Sequence, residues 1–175
     1  TARMSEISAQ LRQFSRKSGE TLTAVSPEAC FDYALRLFQA RLREAGVEVI
    51  RRWPEEPCWV RADLVRLEQV LVNLIGNALQ AMAATARPRL ELSIAVQAER
   101  VVMSVADNGP GIPDEHLGQI FEPFFTTKPV GQGSGLGLSM VHRIINDHGG
   151  SIGTFGSALG GAGFEIVLPL EDTTP

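Results

Sequence analysis

The sequence predicts an α+β fold: a two-layer α/β sandwich, with helices packed on one face of a mixed, mostly antiparallel sheet. Three observations carry the prediction. Residues 89–97 and 101–107 alternate apolar and polar side chains about a short polar turn (Ala98, Glu99, Arg100), the pattern of a β-hairpin. Residues 63–84 set Leu64, Leu67, Leu71, Leu74, Ile75 and Leu79 along one face of a long helix. Strand signals come in runs and do not alternate one for one with helices, which excludes a regular parallel βαβ array.

Taken in order, residues 1–18 carry Met4, Ile7, Leu11 and Phe14 at steps of three and four, a narrow apolar stripe on a helix. Residues 20–26 read as a short strand. Ser26 caps the next helix and Pro27 takes its first position; that helix is expected to run to Ala45, with Gly46 closing it. Val47–Arg52 and Cys58–Arg61 are short strands around a loop bracketed by Pro54 and Pro57. Asp63 caps the long helix, and Pro88 precedes the hairpin. A short helix is expected near residues 113–120, then a long loop to Gly135. A helix over residues 136–148 is stopped by Gly149-Gly150. Residues 152–155 and 163–168 form a last strand pair, and a polar tail follows Pro169.

With 16 basic and 20 acidic residues the chain has a net charge of -4, which gives no bulk electrostatic case for nucleic acid as a partner. Cys30 and Cys58 lie far apart and read as reduced, buried thiols. His116, His142 and His148 make no metal-ligand spacing. Residue 1 is Thr, and the natural protein is expected to begin earlier, with any membrane anchor in the preceding part.

Four segments hold chemistry. Asn73 and Asn77 lie four apart on the long helix among apolar neighbours, so two amides on a core-facing helix need partners. Neighbouring backbone groups would satisfy them; so would a phosphate-bound Mg2+. Asp107-Asn108-Gly109-Pro110-Gly111-Ile112-Pro113 follows a hydrophobic strand. It reads as a turn, or as a carboxylate that accepts from an adenine amino group beside glycines that let the ring approach. Phe121-Glu122-Pro123-Phe124-Phe125-Thr126-Thr127-Lys128 should pack a loop on the core and bring Lys128 towards phosphates. Gly131-Gln132-Gly133-Ser134-Gly135-Leu136-Gly137-Leu138 opens a helix whose N-terminal N–H groups suit an anion. It matches neither a dinucleotide fingerprint nor a P-loop.

In this order the four segments resemble the N, G1, F and G2 boxes of histidine-kinase catalytic domains, in the superfamily of gyrase, Hsp90 and MutL. The resemblance covers roughly residues 20–170. It implies a domain that binds ATP with Mg2+ and donates the γ-phosphate to a histidine on an upstream dimerisation helix, in two-component signal transduction. It implies Asn77 as the Mg2+ ligand, Asn73 at the phosphates and Asp107 as the adenine acceptor. Gly109, Gly111 and Ile112 would border the adenine, and Phe121 and Lys128 would serve the nucleotide from the loop. Gly133, Gly135, Leu136, Gly137 and Leu138 would form the phosphate-side lid, with Gly161 in the last glycine box. His148 before Gly149-Gly150 is read as structural. Residues 1–18 would end the dimerisation hairpin, 19–170 would be the catalytic domain and 171–175 a tail. The partners implied are ATP or ADP, the chain's own dimerisation domain, and a response regulator of the sigma-54 activator type. The full-length protein would be a homodimer with this part cytoplasmic, below an inner-membrane sensor; the segment alone would be monomeric and unable to phosphorylate itself.

Three positions depart from the family pattern. Gln80 stands where many members have a basic residue, Gly163 where a hydroxyl residue is common, and Asn73 where the superfamily's ATPases have Glu to activate water. An amide is no general base, so Asn73 favours phosphoryl transfer over hydrolysis of the chaperone or DNA-repair kind. Gln80 and Gly163 support the one contrary reading, a nucleotide-free regulatory docking module of the same fold. The Pro-Phe-Phe-Thr-Thr-Lys run and Phe14-Ser15-Arg16-Lys17 resemble the branch with C4-dicarboxylate and nitrogen sensors.

Overall fold

The computed structural model describes residues 22–172. The helix expected over residues 1–18 and the first residues of the strand expected over 20–26 lie outside that range, as does the end of the tail. The elements are β1 (Thr23–Val25), α1 (Pro27–Leu37), α2 (Gln39–Glu44), β2 (Glu48–Arg52), β3 (Val60–Ala62), α3 (Leu64–Ala81), β4 (Arg89–Gln97), β5 (Arg100–Asp107), a 3-10 turn (Asp114–His116), α4 (Gly137–Asp147), β6 (Ser151–Gly156) and β7 (Ala162–Pro169). The main sheet has the order β2-β4-β5-β7-β6; β2 runs parallel to β4 and every other pair is antiparallel. β1 and β3 form a separate antiparallel pair. Leu90, Leu92, Val101, Met103, Ile166 and Leu168 are buried from the sheet and join Leu67, Leu71, Leu74 and Ile75 of α3 in one core. This is the α+β sandwich that the sequence predicts.

Local chemistry accounts for most boundaries. The Ser26 hydroxyl accepts from the Ala29 N–H at 3.2 Å, and Asp63 Oδ1 accepts from the Arg66 N–H at 3.0 Å. Gly46, at φ +66°, closes α2. The single helix expected over residues 27–45 is broken in two at Phe38, which has φ -96° and ψ 6°. Its ring fills the notch left by Gly76 of α3, where an added Cβ would lie 3.3 Å from the ring. α3 ends at Ala81 instead of Ala84, and Leu64 is 46% exposed. Its turn meets polar groups of α4: the Asp63 N–H donates to His148 Nε2 at 3.0 Å, and Arg66 pairs with Asp147 at 2.9 Å. His148 Nδ1 donates to the Ile144 carbonyl at 2.6 Å, so the ring is a neutral tie between two helices. Only a 3-10 turn forms in residues 113–120, because Pro113 and Gly118 leave too few residues for a helix to propagate.

The hairpin turn has two residues, not three, since Arg100 pairs with Gln97. Ala98 lies in the left-handed region at φ 53°, where a Cβ costs about 1 kcal/mol. Ala98→Gly is therefore expected to stabilise the fold by about 0.5–1 kcal/mol. Thermal unfolding checks this, and an unchanged or lower midpoint would refute it.

Both cysteines are free and buried. Burial, with a smaller contribution from Glu68, pushes the Cys30 thiol up to about 12. Among the described residues no helix is long and apolar enough to cross a membrane.

Candidate functional site

At one end of the site stands Asp107, the last residue of β5, 4% exposed. Its Oδ1 accepts from the N–H of Gly109 at 2.8 Å and of Ala162 at 3.4 Å, and no hydrogen bond to Oδ2 is found among the described residues. Burial raises the carboxyl above its ordinary range, and the two N–H bonds offset part of that rise. At two of the nearby glycines a side chain has no room. A Cβ on Gly109 would fall 2.9 Å from the Ala81 carbonyl oxygen, and one on Gly161 would fall 2.4 Å from Asp107 Oδ1. Gly111 lies beside Gly161, with 3.8 Å from its Cβ position to the Gly161 carbonyl carbon. Asp107, Gly109, Gly111 and Gly161 thus come together, and Ile112 packs half-buried against the core beside them in sequence.

Asn108 is a positioning residue that sequence reasoning missed. Its Oδ1 accepts from the Arg89 N–H at 2.8 Å and its Nδ2 donates to the Arg87 carbonyl at 2.7 Å. The amide pins the start of β4 to the segment after Asp107. For Asn108 itself the run Asp-Asn-Gly gave only a turn signal, which hid this role.

The departure noted at Gly163 falls on the wrong face. Gly163 pairs with Ala106 and Phe155, and the Phe155 ring lies over it on the side of the sheet away from Asp107. A hydroxyl at 163 could not reach the carboxylate. The residue that faces Asp107 is Ala162, one position earlier, because successive side chains of a strand alternate sides.

The other end is built on α3. Asn77 Nδ2 donates to Asn73 Oδ1 at 3.3 Å. Gly137 opens α4 so close to this pair that a Cβ there would lie 2.7 Å from Asn73 Nδ2. The free N–H groups of an 11-residue helix therefore start beside the two amides, with no side-chain cap occupying them. Leu136 is buried and Leu138 packs half-buried on the core, which anchors both sides of Gly137. Lys128 reaches the same place from the long loop: its ammonium donates to Asn77 Oδ1 at 3.5 Å and to Gln80 Oε1. Burial lowers the pKa of Lys128. Asn73, Asn77 and Gln80 lie on the helix that ends at Ala81 against Gly109, so one rigid element links the two ends.

The three phenylalanines of the loop do not share one role. Phe121 packs against His142 and Phe164, with ring centroids 5.3 Å and 6.5 Å away, and Phe125 against His116 at 5.4 Å. These rings fasten the loop to the body. Phe121 and Phe125 pack the loop on the core as the sequence predicts, whereas Phe124 is 68% exposed. Its backbone is left-handed at φ 66°, and its N–H donates to the Gly135 carbonyl at 2.9 Å. Gly135, at φ +69°, approaches so closely that a Cβ would fall 2.4 Å from the Phe124 carbonyl carbon. This clasp closes the loop of residues 124–135 and turns Phe124 outward. Gly133 lies inside the loop, over Lys128 and Thr126.

Comparisons with known proteins give the family and the fold. Residues 62–172 match the family model described as histidine kinase-, DNA gyrase B-, and HSP90-like ATPase. The C4-dicarboxylate transport sensor protein DctB of Pseudomonas aeruginosa is 37% identical over 163 residues, 93% of this chain and 27% of that protein. The signal transduction histidine-protein kinase AtoS of Escherichia coli is 36% identical over 93% of this chain and 26% of its own length. The chain thus spans about a quarter of these curated relatives. Among solved structures, the catalytic domain of histidine kinase ThkA superposes with a TM-score of 0.77 at 34% identity, covering 85% of this chain and 95% of that one. ThkA in complex with the response regulator protein TrrA gives 0.80 at 30% identity, covering 97% of this chain and 48% of that one. With the family model matched over most of the fold and the sandwich shared with kinase catalytic domains, this chain belongs to the histidine kinase-, DNA gyrase B-, and HSP90-like ATPases, as a histidine kinase ATPase domain of the two-component sensor type.

Proposed function

We propose that the domain binds ATP with Mg2+ and donates the γ-phosphate to a histidine on an upstream dimerisation helix. The observation that carries this reading is the placement of a buried carboxylate with one unpartnered oxygen, two paired amides and a bare helix N-terminus along the single helix α3. Asp107 Oδ2 would accept from the adenine amino group, in a slot kept open by Gly109, Gly111 and Gly161. Asn73, Lys128 and the first N–H groups of α4 would hold the phosphates, and Leu136, Gly137 and Leu138 would set that helix end. Asn77 Oδ1 already faces a cation, the Lys128 ammonium, and is a hard oxygen donor of the kind Mg2+ takes together with phosphate and water. Bound there, Mg2+ would neutralise charge on the transferring phosphoryl group.

In the transfer, an imidazole nitrogen of the acceptor histidine forms a bond to the γ-phosphorus, and the bond to the bridging oxygen of ADP breaks. The domain's part is positioning and charge neutralisation, for which no general base is needed. Asn73, an amide, cannot act as one, which favours transfer over hydrolysis. Residues 1–18 are read as the end of the dimerisation hairpin, 19–170 as the catalytic domain and 171–175 as a tail. In the full-length protein this domain would be cytoplasmic, part of a homodimeric sensor, and would serve a response regulator of the sigma-54 activator type. The ThkA complex with its response regulator supports the kind of partner.

Calorimetric titration with ADP and a non-hydrolysable ATP analogue, with and without Mg2+, tests the reading. Saturable binding of both is expected, with no acid-labile phosphate on His116, His142 or His148 after incubation with ATP. A flat titration on folded protein would sink it and return the docking-module reading.

A further inference from the structure

Gln80 lies three residues beyond Asn77 on α3, on the same helix face. It cannot carry positive charge, but its carbonyl oxygen can fix one. The Lys128 ammonium donates to Gln80 Oε1 and, at 3.5 Å, to Asn77 Oδ1. The loop is shaped to hold it there. Thr126 Oγ1 accepts from the Lys128 N–H at 3.1 Å, and a Cβ on Gly133 would fall 2.9 Å from Lys128 Cδ. Two amide oxygens from one helix therefore converge on a single, half-buried ammonium from across the chain. That ammonium shares the oxygen a divalent cation would use, and two like charges do not occupy one such place together.

We infer that Gln80 is a positioning residue for Lys128, and that the pair supplies from the loop a positive charge that neutralises nucleotide phosphates even without a divalent cation. This rests on the nucleotide reading above. The ammonium satisfies Asn77 Oδ1. When phosphates enter, the flexible lysine stem lets the ammonium swing from Asn77 to phosphate oxygens while Gln80 keeps it in reach. The charge that many members carry on the helix would be carried here by the loop.

Titration of ADP in excess chelator and again in excess Mg2+ tests this, on wild type, Lys128→Met, Gln80→Leu and the double variant Gln80→Lys with Lys128→Met. Wild type is expected to bind in chelator. Lys128→Met should lose about tenfold or more of that metal-free affinity, and less of the affinity in Mg2+. Gln80→Leu should weaken metal-free binding by a smaller factor, and the double variant should recover most of it. Thermal melts of the same samples separate lost affinity from lost fold. Unchanged metal-free affinity in Lys128→Met, no recovery in the double variant, or wild-type binding that vanishes in chelator each overturns the inference while leaving the nucleotide site standing. A wild type that binds ADP in neither condition overturns both.

Discussion

Asp107→Asn is expected to weaken ADP binding about 10²–10⁴-fold and to leave the fold intact or more stable. The amide oxygen can still accept from the N–H groups of Gly109 and Ala162, so the local backbone has no reason to move. Polarity reverses only at the outward atom, where Oδ2 becomes an N–H donor facing the adenine amino donor. The loss joins a hydrogen bond to a charged acceptor, about 1.5–3 kcal/mol, with a donor left unpaired, about 1–3 kcal/mol. Stability moves the other way. Burial raises the Asp107 pKa in the folded state, so its contribution to stability is full below the unfolded value and is lost as pH rises through the folded one. At neutral pH the ionised group costs stability, and a neutral isostere removes that cost. ADP affinity has the opposite pH dependence: it should fall as acid protonates Asp107, starting above the ordinary carboxylate range. Titration calorimetry and thermal melts on the same protein check both signs. Wild-type affinity in the variant would remove the adenine assignment, and a markedly lower melting point would remove the account of its burial.

What the sequence made legible follows from where each signal is written. The hairpin of β4 and β5 was readable because one face is buried, and burial of one face imposes a period of two. The Asn73 and Asn77 pair was readable because a spacing of four fixes their meeting on any helix. The break at Phe38 was not, since helix propensity runs straight through residues 27–45 and the bend depends on a notch at Gly76, far along the chain. Nor was the Lys128 contact with Gln80, whose 48-residue separation no periodicity encodes. The misplaced hydroxyl position shows how little error a strand tolerates: a shift of one residue from Ala162 to Gly163 crosses to the other side of the sheet. The outward turn of Phe124, alone of the three rings, was not legible either. Hydrophobicity says that a ring prefers burial, but the clasp to Gly135 fixes the backbone in a left-handed turn that points it outward.

Gly161→Ala should damage stability and nucleotide binding together, and its neighbour shows why. Gly160 has φ +101° with nothing within 4 Å of its Cβ position, while Gly161 has an ordinary backbone and no space at all. Alanine at 160 would bring backbone strain of about 1–2 kcal/mol and no contact with the site. Alanine at 161 would bring no such strain, but its Cβ would stand 2.4 Å from Asp107 Oδ1, 2.5 Å from the Asp107 carbonyl oxygen and 2.7 Å from the Gly109 nitrogen. Two of these three atoms are backbone held in place by β5 and the turn after it, so relief requires moving the strand ends apart. Overpacking of this kind costs about 1–3 kcal/mol of stability. Displacing Asp107 from the base it would bind loses a hydrogen bond to a charged acceptor, which is expected to cost about tenfold or more in ADP affinity. The pair of variants separates two uses of glycine that sequence alone cannot tell apart. If the slot is the adenine site, Gly160→Ala melts lower yet binds ADP like wild type, and Gly161→Ala loses both. Equal ADP affinity in the two variants would mean that the close packing around Asp107 serves the fold and that the nucleotide base sits elsewhere.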